Sequence, residues 1–316
     1  MMRAIGLRGP GRPLEPLELP APEPADDAVL VRVLASSINP VDGYIAGGTY
    51  GTAQLEYPVV PGRDVCGLVE TVGAAVTGFT AGDRVLGCWT RPDFRLGSWA
   101  EYIALPADSA LAPWPQSLSA HQAAALPLAA ATAQLAIDGL EPAPGEPILI
   151  VGAAGAVGCY AVQLAARRGA EVIATARATD EARMRHLGAG ETIDYTRHDV
   201  VATARKLHPE GIPKVFDIVG DKAEVLRLAE LVPAGGRIAS ARFAAHRHAL
   251  PERGITPINV LANGHGGEVL EPALALAASG ELEILVSDVV SLDGVPGALA
   301  EFERGGRGKI VVDVAG

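Results

Sequence analysis

Residues 148–158 read I-L-I-V-G-A-A-G-A-V-G, an apolar run leading into glycines at every third position. The chemistry open to such a turn is anion binding. Gly155 lets the backbone approach a pyrophosphate, Gly158 lets a following helix pack close to the preceding strand, and the free N–H groups at the helix start hold the charge. The match to G-x-G-x-x-G is A-x-G-x-x-G, with Ala153 at the first position and an additional Gly152 before it, a change that widens the turn. A helix start that is glycine-rich for packing alone is the competing explanation, and the strand–turn–helix context weighs against it.

A second candidate lies at T175-A-R177, where the next strand ends. An acid there would bond a ribose 2′-hydroxyl and repel a 2′-phosphate, but no acid occupies the position. Arg177 offers a permanently charged planar fork and Thr179 a hydroxyl, which favours NADPH over NADH. Asp180 and Glu181 follow closely, and could either cap the next helix or pair with Arg177.

Other reactive side chains have plainer explanations. Asp42 and Asp64 resemble an acid–base pair, yet Asp42 is placed to cap a short helix after Pro40, and Asp64 follows a P-G-R turn where it ties loops through backbone or Arg63 contacts. Cys66, Cys88 and Cys159 are odd in number and lack C-x-x-C spacing, which disfavours both a disulfide framework and a zinc knuckle. They read as buried or half-buried thiols. His246, His248 and His265 are scattered through a loop in no metal-ligand pattern.

These residues need elements to position them. The first hundred residues carry short β-prone runs broken by Gly and Pro, at 28–38, 67–73, 83–87 and 98–105, which predicts a β-rich, barrel-like domain. Ala120 to Gly139 is Ala- and Leu-rich with helical periodicity. From 148 onward, apolar strands (148–152, 171–176, 191–195, 215–220, 237–241) alternate with helices (155–168, 179–187, about 198–208, 222–231). Five strands alternating with four helices predict a doubly wound parallel sheet, an α/β fold. After a loop-like stretch at 242–257 come a helix near 268–279 and the β-prone segments LVSDVVSL and KIVVDV, which return to complete the first domain.

Composition sets the outer bounds. Hydrophobic residues make up 49% and charged residues 20% of the 316, a soluble globular mixture with room for two domains. A net charge of −11 opposes broad contact with nucleic acid or anionic lipid. No apolar run approaches the roughly 20 residues that span a bilayer, and the N-terminus lacks a signal-peptide core, so a cytoplasmic location is expected.

Several long segments occur in an order that resembles the medium-chain dehydrogenase/reductase superfamily, and within it the zinc-free quinone oxidoreductase branch with its zeta-crystallin-like proteins. They include SINPVDGYIAGG (37–48), VVPGRDVCGLVETVGAAVTGFTAGDRVLG (59–87), GSWAEYIALP (97–106), AALPLAAATAQLAI (124–137), the glycine loop, HLGAGETIDY (186–195), FDIVG (216–220) and GRGKIVVDV (306–314). The resemblance implies a GroES-like β-barrel catalytic domain at 1–119 and 255–316, a Rossmann NADP-binding domain at 120–254, a cofactor in the cleft, and a homodimer. It implies that Asn39, Tyr44 and Tyr50 border the nicotinamide and substrate, with Thr132 on the nicotinamide side. Gly155, Ala156 and Val157 would lie at the pyrophosphate, Arg177 and Tyr195 near the adenosine phosphate, and Val219 and Gly220 beside the adenine-side ribose or ring. Ala241, Arg242 and Lys309 are further candidates for the nicotinamide end.

The sequence also departs from its zinc-dependent relatives. Their Cys ligand falls within NPVD, their G-H-E triplet has become Gly62-Arg63-Asp64, and segment 88–98 holds only Cys88 in place of a four-Cys lobe. Arginine stays protonated and offers no lone pair, so no metal is expected. The phosphate turn carries Arg177 and Thr179 where close relatives often place Ser and Arg, an interchanged pair.

Without a Lewis acid, an acceptor must delocalise negative charge itself, which points to quinones and α,β-unsaturated carbonyls. Tyr50 and Tyr44 would supply an O–H to the acceptor oxygen, with Asn39 orienting the cofactor or donating a further bond. Packing of Tyr44 and simple exposure of Tyr50 are the alternatives, with water or a ribose hydroxyl then delivering the proton. Trp89, Phe94 and Trp99 are placed to line the cleft mouth, although core packing explains Trp99 equally well. The competing functions are an enoyl or alkenal reductase of a specific pathway, and an NADPH-binding sensor or structural protein with little turnover.

Overall fold

The structure is a computed structural model that describes residues 1–48, 56–91, 95–304 and 308–316. Tyr50 and Phe94 lie outside the described residues. The chain forms two compact units, one of Met1–Leu128 with Asn263–Gly316, the other of Ala129–Ala262.

The first unit opens with a hairpin, β1 (Met2–Gly6) antiparallel to β2 (Glu15–Leu19). Then come β3 (Ala28–Ser37), α1 (Pro40–Ala46), β4 (Asp64–Val72), β5 (Arg84–Cys88), β6 (Tyr102–Pro106), β7 (Ala110–Pro113) and α2 (Ala120–Ala125). In β3, Val29, Val31, Val33 and Ala35 are buried on one face, and on the other only Arg32 is exposed, with Ala28, Leu30 and Ser36 also covered. Trp99 belongs to this core, with no exposed surface. Packing is therefore its role.

Pro127 separates α2 from α3 (Pro127–Leu140), so the Ala-rich stretch is two helices. Proline has no N–H to continue α2, but its fixed φ suits the first position of a new helix. Because α2 packs on β3 and β4, the units divide at 128/129, beyond the 119/120 boundary drawn from sequence.

The second unit continues with β8 (Pro147–Val151), α4 (Ala156–Arg167), β9 (Glu171–Thr175), α5 (Glu181–His186), β10 (Glu191–Ile193), α6 (Val200–Leu207), β11 (Lys214–Asp217), α7 (Lys222–Leu228), β12 (Arg237–Ser240) and β13 (Thr256–Asn259). Its six strands are all parallel, in the order β10-β9-β8-β11-β12-β13. Leu149, Ile173, Ile193, Val215 and Ile238 fill a shared core. The direction of winding reverses between β8 and β11, the switch point at which such sheets bind ligands beyond their carboxyl ends. β13 is a sixth strand where sequence reading placed a loop and then the first domain. Its Pro257 argues against a strand, yet proline is tolerated at a sheet edge, which is where β13 lies.

The chain then returns through α8 (Glu271–Ala278), β14 (Asp288–Ser291), α9 (Val295–Glu303) and β15 (Ile310–Asp313). β15 inserts between β14 and β3, giving the first unit a sheet ordered β14-β15-β3-β4-β5-β7, with β6 also paired to β3. Among the described residues no helix is long and apolar enough to cross a membrane.

Candidate active site

Two groups of residues, one in each unit, have the geometry of binding or catalytic centres. In the second unit the turn after β8 is built by three glycines with different tasks. Gly152 takes the left-handed φ of +86°, and its N–H donates to Thr175 Oγ1 at 3.0 Å, tying the turn to the end of β9. The left-handed position thus falls on Gly152, while Ala153 is fully buried beneath it. At Gly158 a Cβ would strike the Gly152 carbonyl and stand 2.5 Å from Ala153 Cα, so the close approach of α4 to the turn that follows β8 requires glycine.

A Cβ on Gly155 would meet only the Gly152 carbonyl at 3.5 Å, so open space remains there for a ligand. Gly155 is the N-cap of α4, and no side chain caps that helix. The first-turn N–H groups of Ala156 and Val157 are left to a ligand or solvent. This arrangement fits a pyrophosphate.

Beyond β9, Arg177 is exposed and donates its Nε–H to Tyr195 Oη at 3.1 Å. That bond holds the guanidinium charged. Of the two acids that follow it in sequence, Asp180 pairs with Arg183 at 2.8 Å and Glu181 with Arg185 at 3.0 Å, while Asp194 accepts from the Ala178 N–H at 3.3 Å. Among the described residues no carboxylate lies within ion-pair distance of Arg177. Thr179 is exposed two residues on, in a 3₁₀ turn spanning Ala178–Asp180. An exposed cation, a phenol and a hydroxyl fit the phosphate of an adenosine ribose.

The ends of β11 and β12 complete this side. Val219 is 54% exposed, and its Cγ1 would stand 2.8 Å from a Cβ on Gly152, so it lies over the glycine turn. Arg242 donates to the Val219 carbonyl at 3.3 Å, and the Ala241 N–H to the Asp217 carbonyl at 3.0 Å. The Gly220 N–H reaches both Asp217 carboxylate oxygens, at 3.0 and 3.1 Å. Burial raises the Asp217 carboxyl, with those backbone bonds opposing the rise. Sequence reading missed Asp217 and Thr175, both of which shape the site from beneath. Thr132 stands half-buried on α3.

In the first unit the end of β3, the start of β4 and the residue before β15 bring polar side chains together. Asp64 Oδ2 accepts from Ser37 Oγ at 2.5 Å, Asn39 Nδ2 at 2.8 Å and Lys309 Nζ at 2.8 Å, while Oδ1 accepts from the Leu128 N–H at 2.7 Å. Lys309 Nζ also donates to Asn39 Oδ1 at 2.6 Å. Asn39 is 5% exposed, Lys309 1% and Asp64 0%. Lys309 thus faces inward rather than standing open to a ligand. Asp64 ties segments together, as expected, through the Leu128 backbone N–H and also through these side chains, while Arg63 turns to the Trp89 and Arg91 carbonyls and Asn263 Oδ1.

Asp42 braces α1 from its third residue, accepting from the Asn39 N–H at 2.8 Å and the Gly62 N–H at 3.1 Å. The N-cap itself is Asn39. Burial lifts the Asp42 carboxyl from 3.8 to about 7, with the Asp64 charge adding to the rise; the Asn39 N–H, Lys309 and Arg63 oppose it. Tyr44 stands on α1, 47% exposed. Trp89 packs against the core of this unit.

Residues 25–116 match the alcohol dehydrogenase GroES-like domain family, and residues 156–262 the zinc-binding dehydrogenase family. The chain is 32% identical over 308 residues to a 2-methylene-furan-3-one reductase of Solanum lycopersicum, covering 92% of this chain and 73% of that one. It is 35% identical over 248 residues to a quinone oxidoreductase of Homo sapiens, covering 75% and 72%. With a chloroplastic NADPH-dependent alkenal/one oxidoreductase of Arabidopsis thaliana the identity is 34% over 224 residues, 69% of this chain and only 55% of that relative. The solved quinone oxidoreductase of Coxiella burnetii superposes with a TM-score of 0.90 over 99% of both chains, at 29% identity.

A GroES-like unit joined to a doubly wound nucleotide-binding unit defines a nicotinamide-dependent oxidoreductase, and this chain belongs to the medium-chain dehydrogenase/reductase superfamily. Within it the chain falls in the quinone oxidoreductase-like branch.

The zinc that gives one matching family its description does not fit these residues. Arg63 puts a guanidinium, bonded to carbonyls, into the P-G-R turn, and Asp64 is saturated by Lys309, Asn39, Ser37 and Leu128. Cys88, opposite Asp64 in the β4–β5 register, is fully buried, and burial pushes its thiol up. Zinc needs lone pairs from thiolate, neutral imidazole or unpaired carboxylate. Among the described residues no group of three or more His, Cys, Asp or Glu is placed to hold a metal. The His246 and His248 carbonyls accept from the Leu250 and Glu252 N–H groups of their own loop, and the His265 carbonyl accepts from Thr90 Oγ1, just beyond β5.

Proposed function

We propose that this protein is an NADPH-dependent reductase of quinones or α,β-unsaturated carbonyls that works without a metal. The observation that carries the reading is the phosphate end of the second unit: an exposed Arg177 with a phenol for a partner, beside a glycine turn open at Gly155. Gly155, Ala156, Val157 and Gly158 would seat the pyrophosphate, and Arg177, Thr179 and Tyr195 the adenosine phosphate. Val219 and Gly220 would flank the adenosine side, with Thr132, Ala241 and Arg242 toward the nicotinamide. When bound, NADPH supplies the hydride.

The protein's part is positioning, hydrogen bonding and exclusion of water. Tyr50 and Tyr44 donate O–H bonds to the acceptor oxygen, as a phenol hydroxyl can. Asn39 donates an amide N–H. The donor set fits no Lewis acid, so acceptors that spread charge as a hydroquinone anion or an enolate are favoured. The names of the Solanum and Arabidopsis relatives make enones the second reading beside quinones.

Mixing the protein with NADPH and a panel of quinones and enones, and following loss of reduced-nicotinamide absorbance, tests the proposal. Turnover of either class supports it; NADPH binding with no oxidation across the panel favours a sensor or structural role instead. Locating the transferred hydrogen on the carbon β to a carbonyl would identify an enone reductase. By its kinship the protein is further proposed to be a homodimer, which light scattering on the purified protein checks, and by its charge and apolar patterning to be cytoplasmic and to contact neither nucleic acid nor membrane.

A further inference from the structure

We propose that Lys309 and Asp64 form a buried positioning pair, which locks the Asn39 amide so that one of its N–H bonds is held back and the other is offered to the acceptor oxygen. The inference rests on the reductase reading for the identity of that oxygen, but the lock itself is a matter of geometry. An ammonium only donates and a carboxylate only accepts. Asn39 must therefore turn Oδ1 to Lys309, at 2.6 Å, and Nδ2 to Asp64, at 2.8 Å. Rotation of the amide by half a turn would set NH₂ against NH₃⁺ and oxygen against carboxylate. That leaves one amide hydrogen, for which no described residue provides an acceptor.

The energetics point the same way. An ion pair this deeply buried gives little net stability over apolar packing, because desolvation offsets the attraction. Its Asp64 member is also unsuited to acid–base work, since three donors converge on one oxygen and a backbone N–H holds the other. What the pair does provide is direction. Asn39 is in extended conformation between the end of β3 and the start of α1, where the Asp42 carboxylate fixes its backbone N–H; the Lys309–Asp64 pair fixes its side chain. Lys309, 1% exposed, acts through Asn39 rather than by touching a ligand.

Four proteins test this: wild type, Asn39→Ala, Lys309→Met and the double variant, each assayed with NADPH and one accepted quinone or enone. Lys309→Met is expected to lower kcat by about 10- to 100-fold, as for a lost or misaligned oxygen donor, with the KM for NADPH within about threefold of wild type. The double variant should lose no more than Asn39→Ala alone, because both changes remove the same donor. Losses that multiply, or a KM effect with kcat unchanged, overturn the proposal. Should Lys309→Met leave Asp64 too poorly compensated to fold, Lys309→Met with Asp64→Asn removes both charges and is expected to show the same kcat loss.

A second measurement needs no turnover. In ¹⁵N-labelled protein the Asn39 side-chain signals, assigned by their loss in Asn39→Ala, should show one slowly exchanging hydrogen that becomes fast in the Lys309 variant. If wild type reduces nothing on the panel the reductase reading fails, and the lock is still judged by this spectrum. Fast exchange of both Asn39 amide hydrogens in wild type overturns it.

Discussion

An exposed guanidinium bonded to a phenol, and beyond ion-pair reach of any described carboxylate, stays open to an anion bound beside it, with Asp180 and Asp194 acting on it only from farther off. Arg177→Ala is therefore expected to raise the KM for NADPH by about 10- to 100-fold, the worth of one or two charge-assisted hydrogen bonds, while that for NADH changes by less than about twofold. Steady-state kinetics with both cofactors checks this, and equal losses would remove Arg177 from the phosphate site. Tyr50→Phe should lower kcat with little effect on cofactor KM, measured on the same panel. Arg177 was legible in the sequence because its place is local: it follows the second strand of a glycine-loop unit. The Asp64 centre was not, since its partner Lys309 lies 245 residues away and Lys309 in turn meets Asn39 across 270. Nothing in a linear spacing announces such a meeting.

The glycine turn shows how an element can be legible in its course and differ in detail. Its strand, turn and helix follow from an apolar run and three glycines, but only the backbone shows that Gly152 takes the left-handed position, with Ala153 buried. Gly158→Ala should destabilise the protein by roughly 1–3 kcal/mol, as overpacking does, and weaken dinucleotide binding as α4 is pushed from β8. Thermal melts with and without NADPH measure both. Elsewhere the apolar runs of β3 and of the parallel strands were plain in the sequence. Elements with weak local signals were not: the β1–β2 hairpin is two five-residue strands around a Gly- and Pro-rich connection, and β13 carries a proline. A sheet edge tolerated what propensity argued against.

Across the whole molecule, stability carries the mark of its buried acids. Between 3.8 and about 7 the folded chain keeps a proton on Asp42 that the unfolded chain has released. The folded state then binds more protons, so this group makes the protein less stable as pH rises through that window, with no further change above it. The Tm of Asp42→Asn relative to wild type should accordingly increase from about pH 4 to about pH 7. All three thiols are buried, and burial pushes those of Cys66 and Cys88 up, so the native protein should resist a thiol reagent that labels all three once it is denatured. The first unit is also discontinuous, with β15 entering its sheet beside β3. On the ribosome, Asp64 emerges 245 residues before its countercharge, a delay of roughly 12–50 s at about 5–20 residues per second. During that interval the whole second unit is made, while the first lacks β14, β15 and the ammonium its carboxylate requires. A nascent chain released before Lys309 would expose the flank of β3 and an unneutralised acid together, which makes it a natural client for chaperones.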